Sequence, residues 1–485
     1  MEREINSNGN LILSKGKDAV MRYFDDLASK RRAYIRKNKY YYDDLKRFFR
    51  YNIPSKRKVL EIGCGLGDTL KSVNPKSGTG IDISKKMIEG AKERHNDLKF
   101  AQMDAENIMI DDKFDFVIIS DTLSYFEDIQ KVFSGVKKVC NSDTRIVITF
   151  HNFLWLPILK FAEFIGLKMP QKRLNWLNKE DIENLLYLED FEVVKSGRRF
   201  LLPKYIPFVS SFVNRYIANL PIINKLCLTG YIIARKIKNV QTIDENLSIS
   251  IVIAARNEKG NIENAIKRIP MMGKHTEIIF VEGNSVDGTY EEIERVYEKY
   301  KNEYDIKYAK QGGKGKGDAV RKGFEMATGD ILMILDADLT TPPEDMPKFF
   351  NAISRGKGEF INGSRLVYPM EKEAMRFLNI LGNKFFSVMF SWLLGQRLKD
   401  TLCGTKVLSR KNYTELIANR AYFGDFDPFG DFDLIFGASK LNLKIVEVPI
   451  KYRSREYGDT NISRFSHGWL LLKMVVFAMN KIKFR

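Results

Sequence analysis

"LMILDADLTTP", residues 332–342, and "VLEIGCGLGD", residues 59–68, decide the fold between them. Each is a short apolar run that stops abruptly at residue types that meet ligands. In the first, the run ends in Asp336 and Asp338, two positions apart and followed by hydroxyls and prolines. In the second it ends in Gly63, Gly65 and Gly67. A continuous apolar run of this length reads as a strand buried on both faces, and open α/β sheets bind ligands beyond the carboxyl ends of their strands. One chain therefore carries two candidate ligand sites.

Around the glycines, "KVLEIG", "GTGIDI", "LKFAQM", "FDFVIIS" and "RIVITF" alternate with helix-length stretches between 58 and 150, the pattern of a parallel α/β sheet. A helical, aromatic insertion is expected over about 152–190, and "FEVVKSGRRFLL" and "LCLTGYIIARKI" then read as two further strands. The polar joint "KNVQTIDENLS" ends this half. Beyond it the alternation restarts with "ISIVIAARNE", "TEIIFVEGNS", "DIKYAKQGG", "DILMILDADL" and "GEFINGSRL", with helical patterns at 259–269 and 287–302. The expected fold class is α/β with two domains in series, 1–240 and 249–485, joined by a linker at 241–248. The 485 residues are too many for one core.

Composition excludes several classes. With 44% hydrophobic and 29% charged residues the chain is globular. Four scattered cysteines without a CxxC pair argue against a zinc site or a disulfide framework, and a reducing cytoplasm fits best. The balance of 79 Lys+Arg against 61 Asp+Glu attracts polyanions, nucleotide phosphates and anionic lipid surfaces alike. No run reaches the ~18 apolar residues that span a bilayer. The aromatic stretches "FFSVMFSWLLG" and "GWLLLKMVVFAMNKIKF" read equally as buried helices or as amphipathic helices in an interface, so a peripheral seat on the inner face of an anionic membrane stays open.

In the first half, Gly63, Gly65 and Gly67 let the backbone turn sharply and approach a ligand. Asp82 closes the next strand at the distance where an acid grips ribose hydroxyls. Asp104 follows the third strand, where it can read an adenine amino group. Together with Glu61 and the segment "SDTLSYFED" that contains Asp121, these residues resemble the class I S-adenosylmethionine-dependent methyltransferases, whose Rossmann-like fold the two late strands also suit. The resemblance implies that Glu61, Gly63, Gly65, Gly67, Asp82, Asp104 and Asp121 bind S-adenosylmethionine. A dinucleotide fingerprint needs GxGxxG, and here the third glycine comes one residue early. Asp121, Tyr125 and His151 are the candidate bases. The chain lacks the NPPY-like tetrad of amino-methylating nucleic-acid enzymes and a Pro-Cys nucleophile, so no nucleic acid is expected as partner.

In the second half, an Asp-x-Asp pair at a strand end offers hard oxygen ligands to Mg²⁺ or Mn²⁺, which take carboxylate and phosphate oxygens together. Capping of the helix that follows explains the pair poorly, since Asp345 or Thr341 lies nearer its start. The stretches "AARNEKGNI", "EGNSVDGT", "GKGKGDAVRKG", "LDADLTTPPED", "INGSRL", "KDTLCGTKVLSR", "GDFDLIFGASKLNLKIVEVPIKY" and "RSREYGDTNISRF" resemble family 2 glycosyltransferases of the GT-A fold. The likeness is strongest to the polyprenyl-phosphate sugar transferases. It implies a nucleotide-sugar donor held by Asn257, Glu258, Glu282, Asp287, Lys314, Lys316 and Asp336, with Asp336 and Asp338 at the metal and diphosphate. The family's paired acids become Glu282-Gly283 here, which leaves the donor base open. For the acceptor, a sugar hydroxyl needs a general base, for which Asp431 and Asp433 are available beside Asp338 as catalytic groups. A lipid phosphate instead needs cations, supplied by Arg453, Arg455 and Arg464. Two other readings remain: a nucleotidyltransferase in the second half, or a first half that serves only as an S-adenosylmethionine-binding or docking module beside a glycosyltransferase acting on a sugar hydroxyl.

Overall fold

The computed structural model describes residues 13–170, 177–238, 244–365, 367, 377–422, 432–453, 455, 457 and 464–484; for 377–381, 421 and 464–468 only the backbone is described. The chain forms two compact units, Met1–Ile237 and Lys238–Arg485.

The first unit holds strands β1 (Lys58–Ile62), β2 (Ser77–Asp82), β3 (Lys99–Gln102), β4 (Phe114–Ser120), β5 (Cys140–His151), β6 (Phe191–Arg199) and β7 (Thr229–Lys236). Their order is β3-β2-β1-β4-β5-β7-β6, with β1 to β5 parallel and β7 antiparallel to both its neighbours. Strand order reverses at β1, so a crevice opens between the carboxyl ends of β1 and β4, where ligands of such sheets bind. Two helices precede the sheet, α1 (Lys15–Lys37) and α2 (Lys39–Asn52). Ser14 caps α1 by accepting from the Lys17 amide at 3.2 Å, and α2 sends Leu45, Phe48 and Phe49 into the core. Neither α1 nor α2 is among the elements expected from the sequence, whose strand and helix alternation begins at residue 58.

The second unit holds β8 (Ser248–Ala255), β9 (His275–Glu282), β10 (Asp305–Lys310), β11 (Ile331–Asp336), β12 (Phe360–Ser364), β13 (Lys406–Ser409) and β14 (Ile445–Pro449). The order is β10-β9-β8-β11-β13-β12-β14, parallel except for β13, which runs against both β11 and β12. Its switch point lies between β8 and β11. The five strands expected in this half form; β13 and β14 are additions.

Two expectations change. Neither Asp345 nor Thr341 caps the helix Met346–Ser354: Asp345 stands at its cap without a side-chain bond to the helix backbone and pairs with Lys348 at 2.6 Å. The two aromatic stretches, helices Phe377–Leu394 and Arg464–Ala478, each divide their apolar residues. Phe386, Phe390, Leu471, Met474 and Val475 are buried in the core, while Val388 and Trp469 are exposed. Among the described residues no helix is long and apolar enough to cross a membrane.

Candidate functional sites

At the first switch point the chain leaves β1 with Gly63, Gly65 and Gly67 all at positive φ, 69°, 50° and 75°. Their roles differ. A Cβ on Gly63 or Gly67 would collide with Thr122 or Phe100, whereas one on Gly65 would meet nothing within 4 Å. Gly65 thus faces open space. That space is a cavity of about 450 Å³ lined by Glu61, Gly63, Gly65, Asp82, Asp104 and Asp121 among others. Gly67 lines no part of it and instead caps the helix Asp68–Ser72.

The acids are held individually. Asp82 accepts from the Gly65 and Ser84 amides, both at 2.9 Å, and burial raises its carboxyl above the ordinary range. Glu61 accepts from the Leu70 amide at 2.9 Å and is pushed by burial up to about 8. Asp104 and Glu106 both pair with Lys17 of α1, at 2.6 and 2.8 Å. Asp25 of α1 accepts from the Lys86 amide at 3.0 Å, which ties the helix across the carboxyl edge of the sheet.

Asp121 sits at the end of β4 with φ 52°, an uncommon conformation for a residue with a Cβ. Its carboxylate accepts from the Thr149 hydroxyl at 2.9 Å and from the Tyr41 hydroxyl at 2.6 Å, and His151 Nε2 lies 3.9 Å away. Burial lowers the His151 pKa, keeping the imidazole neutral, and raises that of Tyr41 well above its usual value. Sequence reasoning named Asp121, Tyr125 and His151 and missed Tyr41, whose only signal is the aromatic run "YYYDD".

At the second switch point β8, β9 and β11 deliver their terminal residues to one place. Asn257, at φ 56°, accepts from the Val286 amide at 2.9 Å, and its own amide donates to the Ser285 hydroxyl at 3.0 Å. Glu258 accepts from Asn261 at 2.6 Å and is raised to about 7, by burial first. Glu282 accepts from the Ser285 amide. Asp287 accepts from the Lys259 and Thr289 amides at 3.2 and 3.0 Å, so in the free protein it braces the turn before the helix Thr289–Tyr300.

The Asp-x-Asp pair has a distinct partner on each acid. Lys316 Nζ stands 2.6 Å from Asp336, whose carboxyl is lowered despite its burial by the lysine's charge and hydrogen bond. Arg455 stands 2.6 Å from Asp338 and 3.4 Å from Glu258. Arg453 is exposed, and its amide donates to the Thr340 carbonyl at 3.0 Å, which brings this segment to the same turn. Lys314 is exposed; Lys316 opens the helix Lys316–Met326, whose N-cap Gly315 makes no side-chain cap. A Cβ on Gly404 would stand 1.9 Å from an Asp336 oxygen, so the carboxylate rests directly on that glycine.

Asp336 and Asp338 are hard oxygen donors of the type a divalent cation takes, and each is ion-paired in the free protein. Among the described residues no three His, Cys, Asp or Glu converge, and Mg²⁺-type ions characteristically take one or two carboxylates with phosphate oxygens completing the shell. Lys316 and Arg455 already supply the positive charge that these acids demand. Asp433 is ion-paired with Arg420 at 3.0 Å; Asp431 and the side chain of Arg464 lie outside the described residues.

Behind the pair, Asp400 is fully buried and grips Arg365 bidentately at 2.7 and 2.8 Å, while Glu447 accepts from the Lys399 and Asp400 amides. Sequence reasoning quoted these stretches without seeing that they fasten to one another. Removing one member of a buried pair leaves an uncompensated charge, so Asp400→Ala is expected to destabilise this unit by about 3–5 kcal/mol. The Asp400 carboxyl is depressed to about 2, below its unfolded 3.8, so its contribution is present above the unfolded value and is lost as pH falls through about 2. Chemical denaturation across acid pH checks this: wild type should lose the difference from the variant only at the acid end.

The two switch points define a chain of two α/β transferase folds in series, one Rossmann-like and one of the GT-A kind. Residues 53–188 match the family model described as Methyltransferase domain, and residues 250–414 match Glycosyl transferase family 2. The chain therefore carries a methyltransferase domain followed by a family 2 glycosyltransferase domain. It is 32% identical over 222 residues to a dolichol-phosphate mannosyltransferase of Pyrococcus furiosus, across 44% of this chain and 59% of that relative. It is 37% identical over 113 residues to the dolichol-phosphate mannosyltransferase of Saccharomyces cerevisiae, across 22% of this chain and 42% of that relative. The chain thus spans only part of either relative's length. A solved SAM-dependent methyltransferase of Thermotoga maritima, described as a possible histamine N-methyltransferase, aligns over 44% of this chain and 99% of its own at 16% identity, with a TM-score of 0.36.

Proposed function

We propose that the chain is a bifunctional enzyme: its second unit transfers a sugar, with inversion, from a nucleotide-sugar to a polyprenyl phosphate, and its first unit methylates an acceptor from S-adenosylmethionine. The proposed domains are a methyltransferase domain over 1–240, a linker at 241–248 and a glycosyltransferase domain over 249–485, and the division of the chain into units at Ile237 and Lys238 lies near the first of these bounds. The observation that carries the sugar-transfer reading is the pairing of Asp336 with Lys316 and of Asp338 with Arg455 at one turn. Carboxylates for a metal and cations for phosphates stand together there.

When bound, Mg²⁺ or Mn²⁺ supplies charge that stabilises the departing nucleotide diphosphate. Asp336 and Asp338 hold the ion, Lys316 and the helix start behind it meet the diphosphate, and Asn257, Glu258, Glu282 and Asp287 shape the nucleotide pocket. Arg453 and Arg455 hold the acceptor phosphate, which is already ionised and needs no base. The second reading, transfer to a sugar hydroxyl with Asp433 as base, is less favoured because that carboxylate is engaged by Arg420.

In the first unit, the open space at Gly65, with Asp82 and Asp104, takes S-adenosylmethionine, leaving the Tyr41, Asp121 and His151 group for the acceptor. When bound, S-adenosylmethionine would supply an electrophilic methyl group and a neutral thioether leaving group, and the Tyr41, Asp121 and His151 group would take the proton that the acceptor oxygen or nitrogen sheds.

A thermal-shift titration tests the pairing of metal and donor, because a ligand that binds only the folded state raises its stability by mass action. Sugar-nucleotides are expected to raise Tm with Mn²⁺ present and not without it, whereas S-adenosylmethionine raises it either way. A donor shift indifferent to Mn²⁺ would remove the metal from the account.

A further inference from the structure

The first unit carries two insertions, one after β5 and one between β6 and β7, and both turn large apolar side chains outward. Phe164 is 88% exposed on the first; Phe208 and Ile222 are 90% and 82% exposed on the second. Trp155 Nε1 donates to the Leu226 carbonyl at 2.6 Å, which fastens the insertions together into one face. Single exposed apolar residues are ordinary, but a contiguous apolar face marks a contact surface. Phe208 also sits at φ 60°, a costly conformation for a bulky residue, while its ring points to solvent.

Charge selects the partner. The second insertion carries Lys204, Arg215 and Lys225, all exposed, and no Asp or Glu occurs between Glu192 and Asp244. On the helix Leu156–Phe164 of the first, which carries the exposed Phe161 and Phe164, the one acid Glu163 is engaged by both Lys160 and Lys168, at 2.9 and 2.8 Å, while the insertion's other acids, from Glu180 to Asp190, lie on or just after the separate helix Lys179–Leu188. An apolar face rimmed by cations matches an anionic lipid surface, where the rings enter the acyl boundary and the cations meet headgroups. Two copies of the chain joined through this face would oppose like charges.

The face is continuous with the cavity. Ile158, Phe161 and Ile165 line the cavity and are also 55%, 63% and 46% exposed, and Lys204 lines it beside them. The cavity mouth therefore opens within the apolar face. We propose that this face docks on an anionic bilayer and that the cavity takes its methyl acceptor, a polar group borne on a lipid, directly from that bilayer. Docking stands on the surface alone; the class of acceptor rests on the methyltransferase reading.

Vesicle flotation with the full-length chain tests docking without any methyl transfer. The protein is expected to float with phosphatidylcholine vesicles containing phosphatidylglycerol and to float much less with phosphatidylcholine alone. Phe164→Asp with Phe208→Asp and Ile222→Asp, or Arg215→Glu with Lys225→Glu, should each cut flotation about tenfold or more. None of these residues lines the cavity, so S-adenosylmethionine affinity by calorimetry should stay unchanged, which also certifies the fold. Wild-type flotation in both variants, or no flotation of the wild type, would overturn the proposal. So would a loss of flotation confined to Trp469→Asp with Val476→Asp on the helix Arg464–Ala478, or variants that change only the oligomeric mass by light scattering. If docking holds but calorimetry finds no S-adenosylmethionine binding in the wild type, the methyltransferase reading fails and the surface assignment stands.

Discussion

Asp338→Asn is expected to lower sugar transfer on the order of 10³-fold or more, equivalent to about 4 kcal/mol of barrier, while S-adenosylmethionine affinity is unchanged. Asparagine preserves the size of the side chain and its oxygen toward the Thr340 hydroxyl, which the aspartate accepts at 2.8 Å. What it removes is the charge. A metal held by the pair would lose one of its two carboxylates, and Arg455 loses its 2.6 Å partner while keeping the longer contact to Glu258. The loss should therefore appear in kcat at saturating donor and as a weaker response to Mn²⁺ in the thermal-shift titration. Because each unit has its own sheet and core, the first unit should not register the change. Retained transfer at saturating metal would detach the Asp-x-Asp pair from the chemistry.

Gly65→Val is expected to weaken S-adenosylmethionine binding about 100-fold or more. Two physical effects coincide there. A β-branched residue at φ 50° is strained by roughly 1–3 kcal/mol, and its side chain would project into the open space that lies before the glycine. The Gly65 amide also donates to Asp82, so displacing the loop disturbs the acid expected to grip the ribose. Asp82→Ala should reduce binding as well, by removing the acceptor of two backbone amides along with the ribose contact. Sugar transfer should continue in both variants. Calorimetry that found ordinary affinity in folded Gly65→Val protein would place the ligand elsewhere in the cavity or outside it.

Both candidate sites were legible in the sequence to the extent that each residue's position depends on its own strand. The runs ending at Gly63, Asp82, Asp121 and Asp336 are apolar, short and sharply terminated, and all four lie at carboxyl ends of sheet strands. The family 2 stretches "AARNEKGNI", "EGNSVDGT" and "LDADLTTPPED" likewise begin at the carboxyl ends of β8, β9 and β11, while "GKGKGDAVRKG" runs into the helix Lys316–Met326. Partnerships across long sequence distances were not legible. Lys17 pairs with Asp104 across 87 residues and Arg455 with Asp338 across 117, and no periodicity records such a contact. Arg455 is expected from the sequence as a cation for the acceptor alone, yet it lies against the Asp-x-Asp turn, so the residues expected for the acceptor and for the metal meet there. The short strands β13 and β14 escaped for a related reason. Their burial comes from the sheet around them, and four or five residues carry too little pattern to reveal it. Gly404 had no local signal either, because its importance comes from the Asp336 carboxylate resting on it.

The central claim, that the second unit moves a sugar onto a lipid phosphate, is tested most directly by product analysis. Full-length protein is incubated with Mn²⁺, a nucleotide-sugar labelled in its sugar and a polyprenyl phosphate, and the mixture is partitioned between water and organic solvent. The account predicts that label enters the organic phase, that mild acid returns it to water as free sugar, and that Asp338→Asn leaves it in the aqueous phase. Label that appears only on a sugar hydroxyl and disappears with Asp433→Asn, or label that never leaves the nucleotide, would contradict it.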